Sequence, residues 1–351
     1  MGKQIKIGIT HGDINGISYE IIINTLSDNR VLELCTPIIY GSAKVGAYHR
    51  KALNIKNFNF NNIKTPDDAH PKRANLINCV DDNVRVELGK STEIAGGASF
   101  QSLQRAVEDL QANKYDALVT APIDKHSIQS NDFEFPGHTE YLQNKFEARD
   151  VLMLMVNEVM KIGVVTGHVP LSKVPSLITG EAILSKLSVL NKSLLENFAV
   201  RKPRIAVLGL NPHSSDNGLI GNEEKDIIIP AINKAREMNI LAFGPFPSDG
   251  FFGSENYTKF DAILAMYHDQ GLTPFKALSY DGGVNYTAGL PVVRTSPAHG
   301  TAFELAGKGE ANDNSFKKAI YLAIDIFRNR EQHKEINSNP LKSIDLSEFE
   351  K

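Results

Sequence analysis

Short apolar runs alternate with longer segments of helical spacing along most of the chain. KIGIT, TPIIYG, DALVTAP, VLMLMV, KIGVVTG, RIAVLGL and DAILAMY are brief and nearly continuous, which predicts buried strands. Between them GGASFQSLQRAVEDLQANK sets Leu103, Ala106, Val107 and Leu110 on one helical face, and EEKDIIIPAINKAREMN and NSFKKAIYLAIDIFRNR repeat that spacing. The alternation predicts an α/β protein with largely parallel sheets. At 351 residues the chain exceeds one simple core, so two closely packed domains are expected. No repeat or low-complexity linker interrupts the pattern, and the polar tail after about Arg330 is expected to be a loosely held end.

Composition narrows the function classes. A formal charge of -3 and the absence of a long Lys/Arg block argue against a nucleic-acid surface, so an anionic substrate must be met by local charge. No window carries the roughly 18 apolar residues of a membrane span. The opening MGKQIKIGITHGD enters a strand pattern directly, without signal-peptide character. Two cysteines, Cys35 and Cys79, have no CxxC spacing, and a reducing cytoplasm is the expected compartment.

In α/β sheets ligands gather beyond the carboxyl ends of strands. The segments there are LVTAPIDK, VVTGHVPL, VLGLNPHSSD and LAMYHDQG, and the last three carry His168, His213 and His268. A gap of 45 or 55 residues excludes a local zinc motif; only equivalent strand-end placement would let the three converge. Three imidazoles with an open fourth position would make a catalytic rather than a structural metal site. The plain alternative for each is a hydrogen-bonded loop histidine.

PGHTEYL offers His138 and Thr139 after a Pro-Gly turn, either to an anion or, in the plain alternative, as a helix start capped by Thr139. Lys276, Asn285 and Arg294 lie in or near the weakly periodic KALSYDGGVNYTAGLPVVRTS and are candidates for phosphate or carboxylate contacts. No GxGxxG follows the first strand. SPAHGTAFELAGKGEAND, residues 296–313, could instead wrap an adenosine through close backbone approach and a terminal Asn.

Taken together, PGHTEYL, TGHVPL, GLNPHSSDNGLIGNEE, AMYHDQGLTPFK and GGVNYTAGLPVVRTSPAHGTAFELAGKG resemble the 4-hydroxythreonine-4-phosphate dehydrogenase family of pyridoxal phosphate biosynthesis, over nearly the whole chain. HGTAFELAGKGEAN also resembles the cofactor loop of isocitrate and isopropylmalate dehydrogenases. The resemblance implies their two-domain α/β fold with an interdomain active-site cleft, here divided into residues 1–130 plus 288–351, with the NAD loop, and 131–287, with metal and dimer elements. It implies His168, His213 and His268 as ligands of one divalent ion per site, Zn²⁺ favoured with Mg²⁺ or Co²⁺ as alternatives. It implies substrate contacts from His138, Thr139, Lys276, Asn285 and Arg294, and an NAD loop represented by His299, Gly300, Thr301 and Asn312. Asp249 and Asp269 are candidate proton acceptors or partners of the histidines, the second role ranking higher. A homodimer sharing its active sites is implied, with His268 as the ligand that crosses.

Two departures stand out. The family's GDPxGIGPE reads GDINGISYE here, with Ile14, Ser18 and Tyr19 in place of proline, glycine and proline; a PADTLF-like stretch reads PSDGFF. The activity implied is NAD-linked oxidation of 4-phosphooxy-L-threonine. The alternatives are a paralogous dehydrogenase of threonate or erythronate 4-phosphate, a metal-dependent phosphatase or hydrolase, and a non-catalytic metabolite-binding module.

Overall fold

The computed structural model describes residues 4–81, 83–279 and 282–339. Twelve strands follow in chain order: β1 (Ile5–Thr10), β2 (Cys35–Gly41), β3 (Asn61–Ile63), β4 (Asn75–Asn78), β5 (Ala117–Thr120), β6 (Leu152–Val156), β7 (Lys161–Thr166), β8 (Arg204–Leu208), β9 (Leu241–Phe246), β10 (Ala262–Tyr267), β11 (Val284–Ala288) and β12 (Arg294–Pro297). All seven apolar runs form strands. They join one sheet in the order β3-β4-β2-β1-β5-β12-β11-β6-β7-β10-β8-β9. β1, β2 and β5 are almost wholly buried, as strands covered by helices on both faces must be.

The sheet is parallel on each flank and antiparallel in the middle. β12 runs parallel to β5, whereas β11 is antiparallel to both β12 and β6, and β6 is antiparallel to β7. Three reversals leave the flank of β7, β10, β8 and β9 pointing opposite to that of β1, β2 and β5. The expectation of largely parallel sheets thus holds within each flank and fails at the centre. The cause is loop length: only residues 157–160 separate β6 from β7, too few for a crossover, so the pair closes as a hairpin. β12 returns beside β5 while β11 stays beside β6, so the chain changes flank between residues 288 and 294.

Helix Glu93–Gln111 buries Leu103, Ala106, Val107 and Leu110, and Thr92 caps its start by accepting from Ala95 N–H. The last described helix spans Asn314–Ser338, so the chain after Arg330 continues as helix for two more turns rather than loosening at once. Arg330 anchors it by donating to Asn197, Tyr286 and the carbonyls of Leu290 and Pro291.

Candidate functional site

The segments after β5, β7 and β10, the helix His138–Lys145, and β11–β12 with the turn beyond them enclose a cleft of about 620 Å³. His138, Thr139, His168, His268, Lys276, Asn285, Arg294, His299 and Gly300 all line it. Thr301, Asn312, His213, Asp249 and Asp269 do not.

Arg294 is the deepest cation. Starting β12 beside β5 buries it to 3% exposure, where it donates to the hydroxyls of Thr120 (2.7 and 3.1 Å) and Thr287 (3.1 Å). No carboxylate pairs with it among the described residues, and burial lowers its pKa to about 10. His138 opens its helix with Gly137 as the N-cap, so Thr139 lies inside the first turn and does not cap. Burial, then the charges of Arg294 and Lys125, holds the His138 imidazole neutral. Its Nε2, the Asn285 Oδ1 and the His299 Nε2 are buried without a partner in the protein. Unsatisfied polar atoms of that kind are expensive to bury unless a ligand or water meets them.

His168 and His268 leave the adjacent strands β7 and β10 at the same edge, and their rings come within 5.3 Å. Burial, followed by the charges of Lys125 and His268, lowers the pKa of His168, which favours a free lone pair. His268 Nδ1 lies 2.7 Å from Asp269 Oδ1, so the carboxylate fixes the ring and leaves Nε2 for the cleft. Asp269 is itself 83% exposed and acts on His268 rather than on the cleft. Asp249 sits exposed in the first turn of the short helix Ser248–Gly253.

His213 stands apart. It follows β8 in an exposed turn where His213, Ser214, Ser215, Asp216 and Asn217 all have positive φ between 45° and 66°. Glu224 ties the base of this turn by accepting from the backbone N–H groups of Leu210 and Asn211, each at 2.7 Å. No group of three His, Cys, Asp or Glu able to hold a metal forms among the described residues of one chain. The paired imidazoles of His168 and His268 therefore make an incomplete donor set for a divalent ion, chemically suitable but one ligand short.

The GDINGISYE loop is buried rather than facing the cleft. Ile17 N–H donates to the Thr301 carbonyl, and a Cβ on Gly16 would lie 2.6 Å from that oxygen, so glycine permits the contact. Asn15 binds the Lys90 carbonyl and Thr92 hydroxyl and accepts from Glu87 N–H. Of the departures, Ile14 packs in the core, Ser18 donates to the Pro122 carbonyl, and Tyr19 stacks between His11 and His49 with its hydroxyl on Ser42. None of the three lines the cleft, and Ser18 reaches it only through Pro122, which does.

Three charged lining residues escaped the sequence reading: Lys125, Glu140 and Lys186. Lys125 ends the strand-end segment LVTAPIDK, which was its only signal. Glu140 was hidden as an ordinary first-turn acid, and Lys186 is a mid-helix lysine whose ammonium donates to the Val151 carbonyl at 2.7 Å.

Comparison with known proteins places this geometry. The family model for the pyridoxal phosphate biosynthetic protein PdxA matches residues 33–323. A 4-hydroxythreonine-4-phosphate dehydrogenase of Bacteroides thetaiotaomicron is 53% identical over 97% of this chain and 93% of its own length. A protein of Oceanobacillus iheyensis, provisionally named a D-threonate 4-phosphate dehydrogenase, is 36% identical over 93% of this chain and 99% of its own. The crystal structure of the Klebsiella pneumoniae 4-hydroxythreonine-4-phosphate dehydrogenase superposes with a TM-score of 0.79 at 33% identity, covering 93% of this chain and 98% of that one. Isocitrate dehydrogenase from Methylococcus capsulatus, at 11% identity and a TM-score of 0.51, shares the fold alone. The match across most of the length, with the cleft residues in their expected strand-end places, shows that the chain belongs to the PdxA family of pyridoxal phosphate biosynthetic proteins.

Proposed function

We propose that the protein is an NAD-dependent 4-hydroxythreonine-4-phosphate dehydrogenase. It oxidises 4-phosphooxy-L-threonine at C3 to 2-amino-3-oxo-4-phosphooxybutanoate, which loses CO₂ to give 3-amino-2-oxopropyl phosphate. The observation that carries this reading is the cleft itself: a buried unpaired Arg294 and the partnerless atoms of His138, Asn285 and His299 lie in the same hollow as the His168–His268 pair.

Arg294 and neutral His138 hold the phosphate end, with Lys276 at the rim. Oxidation removes the C3 hydrogen as hydride to the nicotinamide and the hydroxyl hydrogen as a proton. The β-keto acid then breaks its bond to the carboxylate, and the electron pair moves onto the ketone oxygen before reprotonation. A divalent ion, Zn²⁺ favoured, held by His168 and His268 would supply Lewis acidity to that oxygen. Asp269 keeps the His268 ring oriented throughout. His299 and Gly300 in the cleft, with Thr301 held by the first loop and Asn312 beyond, form the surface offered to NAD.

The missing ligand is assigned to a second copy of the chain. His213 is exposed, and bulky apolar side chains follow both it and His168 at the surface: Leu219 is 83% exposed and Leu171 70%. Because His168 and His268 already neighbour one another within one chain, this geometry favours His213, not His268, as the residue that crosses a homodimer interface. Mixing purified, metal-loaded protein with NAD and 4-phosphooxy-L-threonine should raise NADH absorbance. Phosphate release without NADH would instead identify a hydrolase.

A further inference from the structure

The hairpin of β11 and β12 presents two faces. Alternation along the strands puts Asn285, Thr287, Arg294 and Ser296 on one of them, where Asn285, Arg294 and Ser296 line the cleft and Thr287 accepts from Arg294. Tyr286 and Thr295, paired across the strands, lie on the other. Helix Asn314–Ser338 grips that second face at two points: Thr295 donates to the Ala319 carbonyl at 2.8 Å, and Arg330 donates to the Tyr286 hydroxyl at 3.0 Å. Arg330 also holds the connection that leads into Arg294, through the carbonyls of Leu290 at 3.1 Å and Pro291 at 3.0 Å. Its Nε reaches Asn197 Oδ1 at 2.7 Å, and Asn197, which ends helix Gly180–Glu196, donates in turn to the Tyr286 hydroxyl at 2.7 Å. All four acceptors of the guanidinium are neutral, so what it supplies is direction: a planar fork meets them together, as an ammonium on a flexible stem does not.

We infer that Arg330 is a positioning residue of the active site: from the far face of the hairpin it sets where β11 and β12 present Asn285 and Arg294 to the substrate. The inference rests on the proposed substrate contacts of those two residues and adds what fixes their spacing. Residues 289–291 border a second hollow, of about 670 Å³, which Arg330 and Asn197 also line. Without the guanidinium, water from that hollow meets the freed carbonyls, and the Leu290 side chain stays packed in the core, so the fold survives while the connection into Arg294 loosens. His168 and His268 follow β7 and β10, outside this network, and keep their places.

The test compares wild type with Arg330→Met, Arg330→Lys and the control Asn329→Ala, by NADH formation from 4-phosphooxy-L-threonine, calorimetric titration of that compound without NAD, metal affinity and urea unfolding. Asn329 donates to the Asn197 carbonyl at 2.8 Å without bonding to the hairpin. Arg330→Met should raise KM and the dissociation constant about tenfold, with kcat changed by less than about threefold and metal affinity by less than about twofold. Arg330→Lys should recover only part of the loss. Asn329→Ala should lower stability and leave KM alone. A merely structural Arg330 would behave like Asn329, so lost stability at unchanged KM overturns the inference and leaves the dehydrogenase reading intact; metal affinity that falls in step with substrate affinity overturns it too. Should Arg330→Met fail to fold, Tyr286→Phe keeps the packed ring and removes one of the four acceptors. It should raise KM about threefold, and an unchanged KM there overturns the inference. A wild type that neither binds nor oxidises the compound overturns the substrate reading and this inference together.

Discussion

His11 and His268 occupy matching positions, each the first residue after a strand of the same sheet, β1 and β10. His11 is sealed. It stacks on Tyr19 at 5.5 Å, Tyr19 stacks on His49 at 5.2 Å, and neither His11 nitrogen has a partner. His49 reaches only the Ile14 carbonyl, and burial lowers the pKa of both imidazoles to about 4. His268 shares the cleft with His168 and has its ring fixed by Asp269. Strand-end placement brings a histidine near the loops, but access to open space decides whether it can serve as a ligand. In the first group a partnerless nitrogen is a stability cost; at His138 and His299 it faces the cleft.

The largest effects should separate the two groups directly. His268→Ala should abolish turnover and metal retention, while His11→Leu should leave kcat unchanged; metal analysis beside NADH assays checks both. Subunit mixing tests how the cleft is completed. His268→Ala and His213→Ala protomers, each dead alone, should recover up to one working site per mixed dimer. His168→Ala mixed with His268→Ala should recover nothing, because those ligands belong to one chain's cleft. Activity in the second mixture would refute the assignment of His168 and His268 to a common site.

Much of this was legible from residue order. The seven apolar runs became strands because each is too short for a helix, and the strand-end histidines were visible as a set. The antiparallel centre was written in the short NEVM connection but was outweighed by the α/β alternation. Glu140 and Lys125 were not legible, since a first-turn acid and a loop lysine have ordinary surface explanations; only the fold brings them to the cleft wall. His213 fell outside the cleft because five residues turn left-handed without a glycine, which apolar periodicity does not encode. The Ile14, Ser18 and Tyr19 departures looked like a threat to the site, yet they repack the core around His11 instead.

Arg294 offers a second contrast, between fitness for a ligand and fitness for folding. Arg294→Met should weaken the phosphorylated substrate by about 1.5–3 kcal/mol. The same change should raise unfolding free energy by on the order of 1–3 kcal/mol, because it removes a buried cation that only Thr120 and Thr287 satisfy. Calorimetric binding and urea unfolding on one variant give the two signs. Loss of both would make Arg294 a structural residue.

The sealed histidines should reveal themselves on acidification. Their folded pKa values of about 4 lie below the ordinary histidine value of 6.5, so between those values the unfolded chain binds protons that the folded one refuses. Stability should therefore be complete above pH 6.5 and fall toward pH 4, by up to about 3 kcal/mol for each buried imidazole. Asp13, raised by burial to about 6, opposes them: its contribution is present at low pH and lost as pH rises through 6. His138, His168 and His299, also lowered by burial, add to the acid side, so the histidines outweigh the aspartate and His11→Leu should remove a part of the histidine slope in pH-dependent urea melts. An unchanged slope would mean that His11 is not sealed.

The smallest effect concerns the histidine that belongs to neither group within one chain. Asp216 holds φ 45° inside the turn that carries His213, a conformation that strains a residue with a Cβ. Asp216→Gly relieves that strain but frees the unfolded chain as well, so the net gain in stability should stay below about 1 kcal/mol. What matters is the sign of the accompanying change in metal affinity. If His213 completes a partner's cleft, its turn must hold the imidazole in place, and a looser turn should weaken metal binding severalfold while stability rises slightly. If His213 is a plain surface residue, the gain in stability should come with no change in metal affinity, and the third ligand must then be sought elsewhere.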